Sequence, residues 1–215
     1  TARSRGLGDV YKRQKYYGQR AYDNEPFNSE NTAKLFKRFM GTSTKIEFPA
    51  LELSKTPEEC SSEILSVLYG YLPEEMRNSD DTFSVITVPA AFNQIQKTAT
   101  LKAASMAGIG KVALMQEPIA AVMSVMRSDN SDGIFLIFDL GGGTLDIAIA
   151  ESIDGSVSLL SHGGIAMCGG RDFDRLLVKE VIKPWLEENF VLPKDFSDMK
   201  DYATLIKLCN WAAEK

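Results

Sequence analysis

The sequence predicts an α/β fold with a mixed sheet, and three observations predict it. Through Arg127, segments with helical apolar spacing alternate with short β-branched runs, the pattern of strands joined by crossover helices. Ser128 to Gly133 (Ser-Asp-Asn-Ser-Asp-Gly) reads as a linker. Beyond it, two apolar runs meet at a turn of three consecutive glycines, which makes an antiparallel hairpin. Alternation before the linker and a hairpin after it call for parallel and antiparallel pairing in one protein. The length of 215 residues suits one large domain or two small ones.

Taken in order, residues 1–14 are basic, glycine-bearing and without apolar period, and are read as a disordered or non-native tail. Asn31 to Met40 reads as a helix, capped by Asn31 or Thr32 and ended by Gly41, with Leu35, Phe36 and Phe39 on its apolar face. Ile46, Phe48, Leu51 and Leu53 alternate loosely and suggest short strands. Thr56-Pro57-Glu58-Glu59 starts a helix, with Thr as the cap, Pro in the first turn and Glu three residues on. Its core positions are Ile64, Leu65, Leu68 and Leu72, and it stops by Pro73. Phe83 to Val88 is a strand ended by Pro89. Asn93 caps a helix that carries Ile95, Ala99, Ala103 and Met106 on one face and ends at Gly108. Lys111 to Met115 is a strand, and Glu117-Pro118 opens a helix running to Arg127. After the triglycine hairpin, Asp154-Gly155 turns the chain into a third strand, Val157 to Ser161. Gly163-Gly164 and Gly169-Gly170 bracket a loop. A helix begins near Asp172, with a kink expected at Pro184, and Tyr202 to the end is helical.

A net charge of −5 argues against a nucleic-acid surface. The absence of a long apolar run predicts no membrane span, and no signal peptide is expected. Cys60, Cys168 and Cys209 are odd in number and widely spaced, so free thiols in a reducing, cytoplasmic setting are expected. His162 is the only histidine, which excludes a multi-histidine metal site, and it reads as a loop residue.

The chemistry concentrates at Asp139-Leu-Gly141-Gly142-Gly143-Thr144-Leu-Asp146. Consecutive glycines cost backbone entropy and add no packing, so close approach of backbone N–H groups to an anion is the reason to keep them. Thr144 can add a hydroxyl. Asp139 and Asp146, across the tight turn, can share one mouth of the sheet. Carboxylates beside phosphate call for a cation, and Mg²⁺ held through water fits two of them. The bland alternative is a glycine-rich hairpin with solvated acids. Neither a Walker loop nor a G-x-G-x-x-G dinucleotide fingerprint is present.

That run resembles the second phosphate motif of the actin-like ATPase superfamily. Four further stretches narrow the resemblance to the heat-shock protein 70 family (the DnaK type): Val85 to Thr100, Glu117-Pro-Ile-Ala-Ala121, Gly169-Gly-Arg-Asp-Phe-Asp174, and Asn31-Thr with Lys37-Arg-Phe-Met-Gly41. The resemblance implies an actin-like ATPase (ribonuclease H-like) fold of two lobes, here the middle of a nucleotide-binding domain truncated at both ends. Residues 15–57 are expected to form a reduced upper subdomain and 58–130 the base of the first lobe. Residues 131–168 would be the base of the second lobe and 169–215 the start of its upper part.

It also implies roles. Lys37 matches the catalytic lysine, Glu117 a glutamate lining the cleft, and Asp139 and Asp146 the acids around magnesium. Gly142, Gly143 and Thr144 match the β/γ-phosphate cradle, beside Gly141, which the residues themselves offer as a further backbone donor. Pro89 and Lys97 match the relay to the substrate-binding domain. ATP/ADP and Mg²⁺ are the implied cofactors, with K⁺ as a further cation. Unfolded polypeptides are the implied clients, bound by a substrate domain outside this chain, and a J-type co-chaperone and an exchange factor the implied partners. The chain departs from the family pattern at Lys97 (an arginine position), Ala113 (a basic J-protein contact), Met167 and Gln116. ATP turnover is expected of the intact protein and not of this chain by itself. A filament-forming actin-like protein and a kinase of the superfamily are the alternatives.

Overall fold

Local signals place most of the elements, and tertiary contacts redraw a few. The computed structural model describes residues 2–4, 15–126, 132–166, 168–190 and 199–213. It divides into two units, the first ending at Glu117 and the second beginning at Pro118.

In the first unit, β1 (Ala2–Ser4) pairs antiparallel with β2 (Lys15–Tyr17), so part of the segment set aside as a tail forms a strand. Helix α1 (Gln19–Asn24) follows. The helix expected over residues 31–40 does not form. Leu35 sits in the left-handed region (φ 58°), and only the short 3₁₀ turns Ser29–Asn31 and Phe36–Phe39 flank it. Asn31 does not cap a helix. It is buried, accepts the Ala50 N–H at 3.0 Å and donates to Asn28 Oδ1 at 2.8 Å. Bonding to a distant backbone amide has outcompeted the local cap.

Strands β3 (Ile46–Phe48) and β4 (Leu53–Lys55) form a hairpin around a 3₁₀ turn, as the loose alternation suggests. Helix α2 (Pro57–Tyr69) opens with both bonds of the expected capping box. The Thr56 hydroxyl accepts the Glu59 N–H, and the Glu59 carboxylate accepts the Thr56 N–H. After the single turn α3 (Glu74–Arg77), β5 (Phe83–Val88) and β6 (Lys111–Gln116) pair in parallel. They are joined by α4 (Gln94–Met106), which is capped by Asn93. Ala99 and Ala103 of α4 and Leu65 of α2 enclose the buried Met40. Burying one such side chain contributes about 1.5–3 kcal/mol. Ala33, Phe48 and Cys60 make a second small core.

Helix α5 (Glu117–Met126) carries the chain into the second unit. There β7 (Gly133–Leu140), β8 (Thr144–Ile153) and β9 (Ser156–Ala166) form an antiparallel meander. Val122 and Met126 pack with Ala150 against one face, where Phe135, Ile137 and Val157 join them. Strand β9 runs past its expected end, so Gly163 and Gly164 lie in the ladder and not in a loop. The linker expected at 128–133 falls mostly outside the described residues, and Gly133 already belongs to β7.

Helix α6 (Gly170–Leu177) passes through a five-residue π-helical stretch, Val178–Ile182, into α7 (Lys183–Asn189). Pro184 lies in the first turn of α7. Its missing N–H and its ring explain why the break comes just before it. Helix α8 (Met199–Ala213) closes the described chain. Parallel and antiparallel pairing both occur, as the α/β reading expects. Among the described residues, parallel and antiparallel pairings occupy separate small sheets.

Candidate functional site

The triglycine turn joins β7 to β8 and is closed by the Gly141 N–H donating to the Thr144 carbonyl at 2.9 Å. The register sets Asp139 directly opposite Asp146, and Asp146 in turn opposite Gly164 of β9. Two carboxylates facing each other across adjacent strands repel, and among the described residues neither is paired with a cation. The missing Cβ of Gly164 matters here, since one would lie 2.8 Å from Asp146 Oδ1. The mouth of this sheet is therefore built to keep two acids side by side.

The start of α6 orients the turn. Gly170 N–H donates to the Gly141 carbonyl at 3.0 Å, and Arg171 N–H to the Gly142 carbonyl at 3.1 Å. In a planar trans peptide the N–H points opposite to the C=O. The amides of Gly142 and Gly143, whose C=O partners face α6, are thus both aimed away from α6 on one side. Gly169 makes the approach possible. A Cβ there would lie 2.7 Å from the Gly141 oxygen and from the Gly142 carbonyl carbon, and would collide with the Gly143 nitrogen. The Asp172 carboxylate accepts the Gly169 N–H at 3.0 Å and fixes the corner. At Gly142 the situation is reversed, because a Cβ there would meet nothing within 4 Å. Among the described residues no neighbour demands glycine at that position, so the space over Gly142 is open to a bound group. The outward Gly142 amide, the two facing acids and the open space over Gly142 fit a phosphate with a divalent cation.

In the first unit, Lys37 lies on the 3₁₀ turn Phe36–Phe39. Its ammonium meets Glu117, the first residue of α5, at 2.6 Å, although 80 residues separate them in sequence. Both stay partly open to solvent, with 56% of the lysine and 26% of the glutamate side chain exposed. The pair is therefore worth little as a stabilising contact, and the ammonium is accessible to an anion. Pro89 ends β5, and its carbonyl accepts the Phe92 N–H at 3.1 Å. Lys97 is half-buried on α4.

The parts sequence reasoning did not assign to the site are Gly164, Gly169 and Asp172. For Gly169 and Asp172 the paired glycines at a helix start were the visible signal, but the contact they serve is made with Gly141 and Gly142, far earlier in the chain.

Fold and site together define an α/β protein with a triglycine hairpin beside a strand-mouth acid pair. Residues 42–210 match the family model described as Hsp70 protein. The chain is 34% identical to a chaperone protein dnaK of Thalassiosira pseudonana, covering 95% of this chain and 36% of that protein. It is 35% identical to one from Gracilaria tenuistipitata var. liui, over 95% and 35% respectively. A chaperone protein HscA homologue of Polynucleobacter asymbioticus is 34% identical over 92% of this chain and 33% of its own length. The chain belongs to the Hsp70 family, whose members have an actin-like ATPase fold, and its mixed α/β architecture with small sheets is consistent with that. It spans about a third of the length of the curated relatives it matches. Among the described residues, no helix is long and apolar enough to cross a membrane.

Proposed function

We propose that this chain is part of a nucleotide-binding domain that binds MgATP and hydrolyses it to drive polypeptide binding and release by the whole protein. One observation carries this reading: the turn whose Gly142 amide is aimed away from α6 into open space beside the facing pair Asp139 and Asp146. Gly142 and Gly143 receive the β/γ-phosphates through backbone N–H groups and Thr144 through its hydroxyl, whereas Gly141, whose N–H is spent on the Thr144 carbonyl, shapes the turn and donates nothing to the phosphate. Asp139 and Asp146 would hold Mg²⁺ through water, and the ion supplies neutralisation of the phosphate charge when bound. Lys37 offsets the charge that develops on the transferring phosphoryl oxygens and helps place the attacking water. Glu117 holds the Lys37 ammonium ready, and an incoming phosphate oxygen can replace the carboxylate as its partner.

Pro89, which ends β5, and Lys97 on α4 pass the nucleotide state to a substrate-binding domain. Unfolded polypeptides are the clients, a J-type co-chaperone and an exchange factor the partners, and K⁺ a further cation. The compartment is cytoplasmic.

The test is Lys37→Ala in the full-length protein. Turnover is expected to fall to background while ATP affinity, measured by calorimetry, stays at the parental value. Hydrolysis at the parental rate would remove Lys37 from the mechanism. The 215-residue chain by itself is expected to turn over no ATP.

A further inference from the structure

The turn carrying Lys37 has no regular helix to hold it, yet a lysine serves a transition state only if its Cα is fixed. We propose that Glu58 is a positioning residue for Lys37: by accepting the Gly41 amide, its carboxylate clamps the end of the Lys37 turn onto α2 and α4. The inference rests on the hydrolytic role given to Lys37 above.

The clamp has a polar half and an apolar half. Gly41 N–H donates to Glu58 Oε1 at 2.9 Å, and Glu58 is 8% exposed, an uncommon place for a carboxylate in the first turn of a helix. One residue earlier, Met40 is buried among Ala99, Ala103 and Leu65 and accepts a hydrogen bond from the Ser61 hydroxyl at 3.3 Å. The Met40 N–H donates to the Lys37 carbonyl, so the anchored residues are tied directly to the lysine. Gly41 itself is at φ +75°, and a Cβ there would lie 2.8 Å from Ile95 Cγ2 and 3.3 Å from the Ile95 carbonyl carbon. The turn therefore rests on the first residues of α4. The left-handed backbone and the close approach to Ile95 both favour glycine at this seat. Burial by itself disfavours the charged Glu58. Hydrogen bonds from its own amide, Gly41 and Thr56, and the charge of Lys102, outweigh it and hold the carboxyl below its ordinary value. The ionised acid is thus stable where it is needed, and nothing about it requires contact with a substrate.

The experiment uses the full-length protein and reads ATP turnover against ATP concentration together with amide exchange at Gly41. Glu58→Ala is expected to lower kcat about tenfold with KM unchanged and to raise exchange at Gly41. Glu58→Gln keeps an oxygen acceptor and is expected to restore most of kcat. Should Glu58→Ala not fold, Glu58→Asp, one methylene too short to reach, takes its place with the same expectation. A parent with turnover that Lys37→Ala abolishes, but with Glu58→Ala at the parental rate, overturns the clamp and leaves the ATPase reading intact. Equal losses in Glu58→Ala and Glu58→Gln, a loss that appears in KM, or unchanged Gly41 exchange also overturn it. A parent with no turnover takes down both readings.

Discussion

Gly142 and Gly169 lie on either side of one contact, and they should respond in opposite ways to the same methyl group. At Gly169 an added Cβ runs into backbone atoms of the triglycine turn, which cannot rotate away. Gly169→Ala is expected to destabilise the protein by about 1–3 kcal/mol in urea unfolding, with loss of nucleotide binding as a consequence. At Gly142 the Cβ enters open space. Gly142→Ala should leave stability within about 0.5 kcal/mol of the parent and weaken nucleotide binding only. Equal stability losses for the two would show that the turn is packed and not open.

Glu63 offers a pH test at the same scale. It joins Lys15 at 2.5 Å, Lys55, and the Tyr17 hydroxyl at 3.1 Å, tying β2 and β4 to α2. Burial pushes its carboxyl up, but bonds from Lys15 and Lys55 and their charge win, and the net shift is downward from 4.5. The folded value lies below the unfolded one. The contribution is therefore complete above the unfolded value and is lost as pH falls through the folded value. The urea midpoint should drop on acidification from pH 5, and Glu63→Gln should flatten part of that slope. An unchanged slope in the variant would assign the acid loss to other groups.

Among the elements, α2 is the one whose start is written most completely in local sequence. Thr56, Pro57 and Glu59 make the capping box and the first turn without help from elsewhere. Thr56→Ala should cost about 1 kcal/mol, and Glu59→Gln much less, because the amide can still accept the Thr56 N–H. Both are read from urea midpoints, and a Thr56→Ala change without effect would mean the helix is held entirely by packing. The segment around Lys37 behaves differently. Its apolar spacing reads as a helix, but Asn31 bonds to Ala50, Leu35 turns left-handed, and Met40 leaves to join α2 and α4. Periodicity records which residues are buried, and three burials against different partners can imitate one helical face. Strand β9 erred in the other direction: its glycines suggested a loop, whereas at least Gly164 is there to clear Asp146.

At the scale of the molecule, one face of the meander stands out. Ile134, Leu136 and Phe138 alternate along β7 at 71%, 73% and 63% exposure, and Leu136 and Phe138 stand opposite Ile149 and Ile147 of β8. A contiguous apolar sheet face of this kind favours association. The purified 215-residue chain should self-associate with rising concentration in sedimentation experiments, and Leu136→Lys should reduce this. Monomer across the whole range would contradict the expectation. Cys60 should take no part in any such behaviour. It is 1% exposed, and burial pushes its thiol up to about 11, so it should resist alkylation until the chain unfolds.

The amino-acid sequence by itself determined the hairpin, its three glycines and flanking acids, the caps of α2 and α4, the parallel pair that α4 joins, and membership of the Hsp70 family. These depend on residues within a few positions of one another, or on motifs that survive as strings. The tertiary structure decided what those strings touch: Asp139 squarely opposite Asp146, the start of α6 turning two amides outward, and Lys37 meeting Glu117 across 80 residues. Those outcomes depend on strand register and on contacts between distant segments. Such contacts are fixed by packing and hydrogen-bond competition over the whole chain, and no local pattern encodes them.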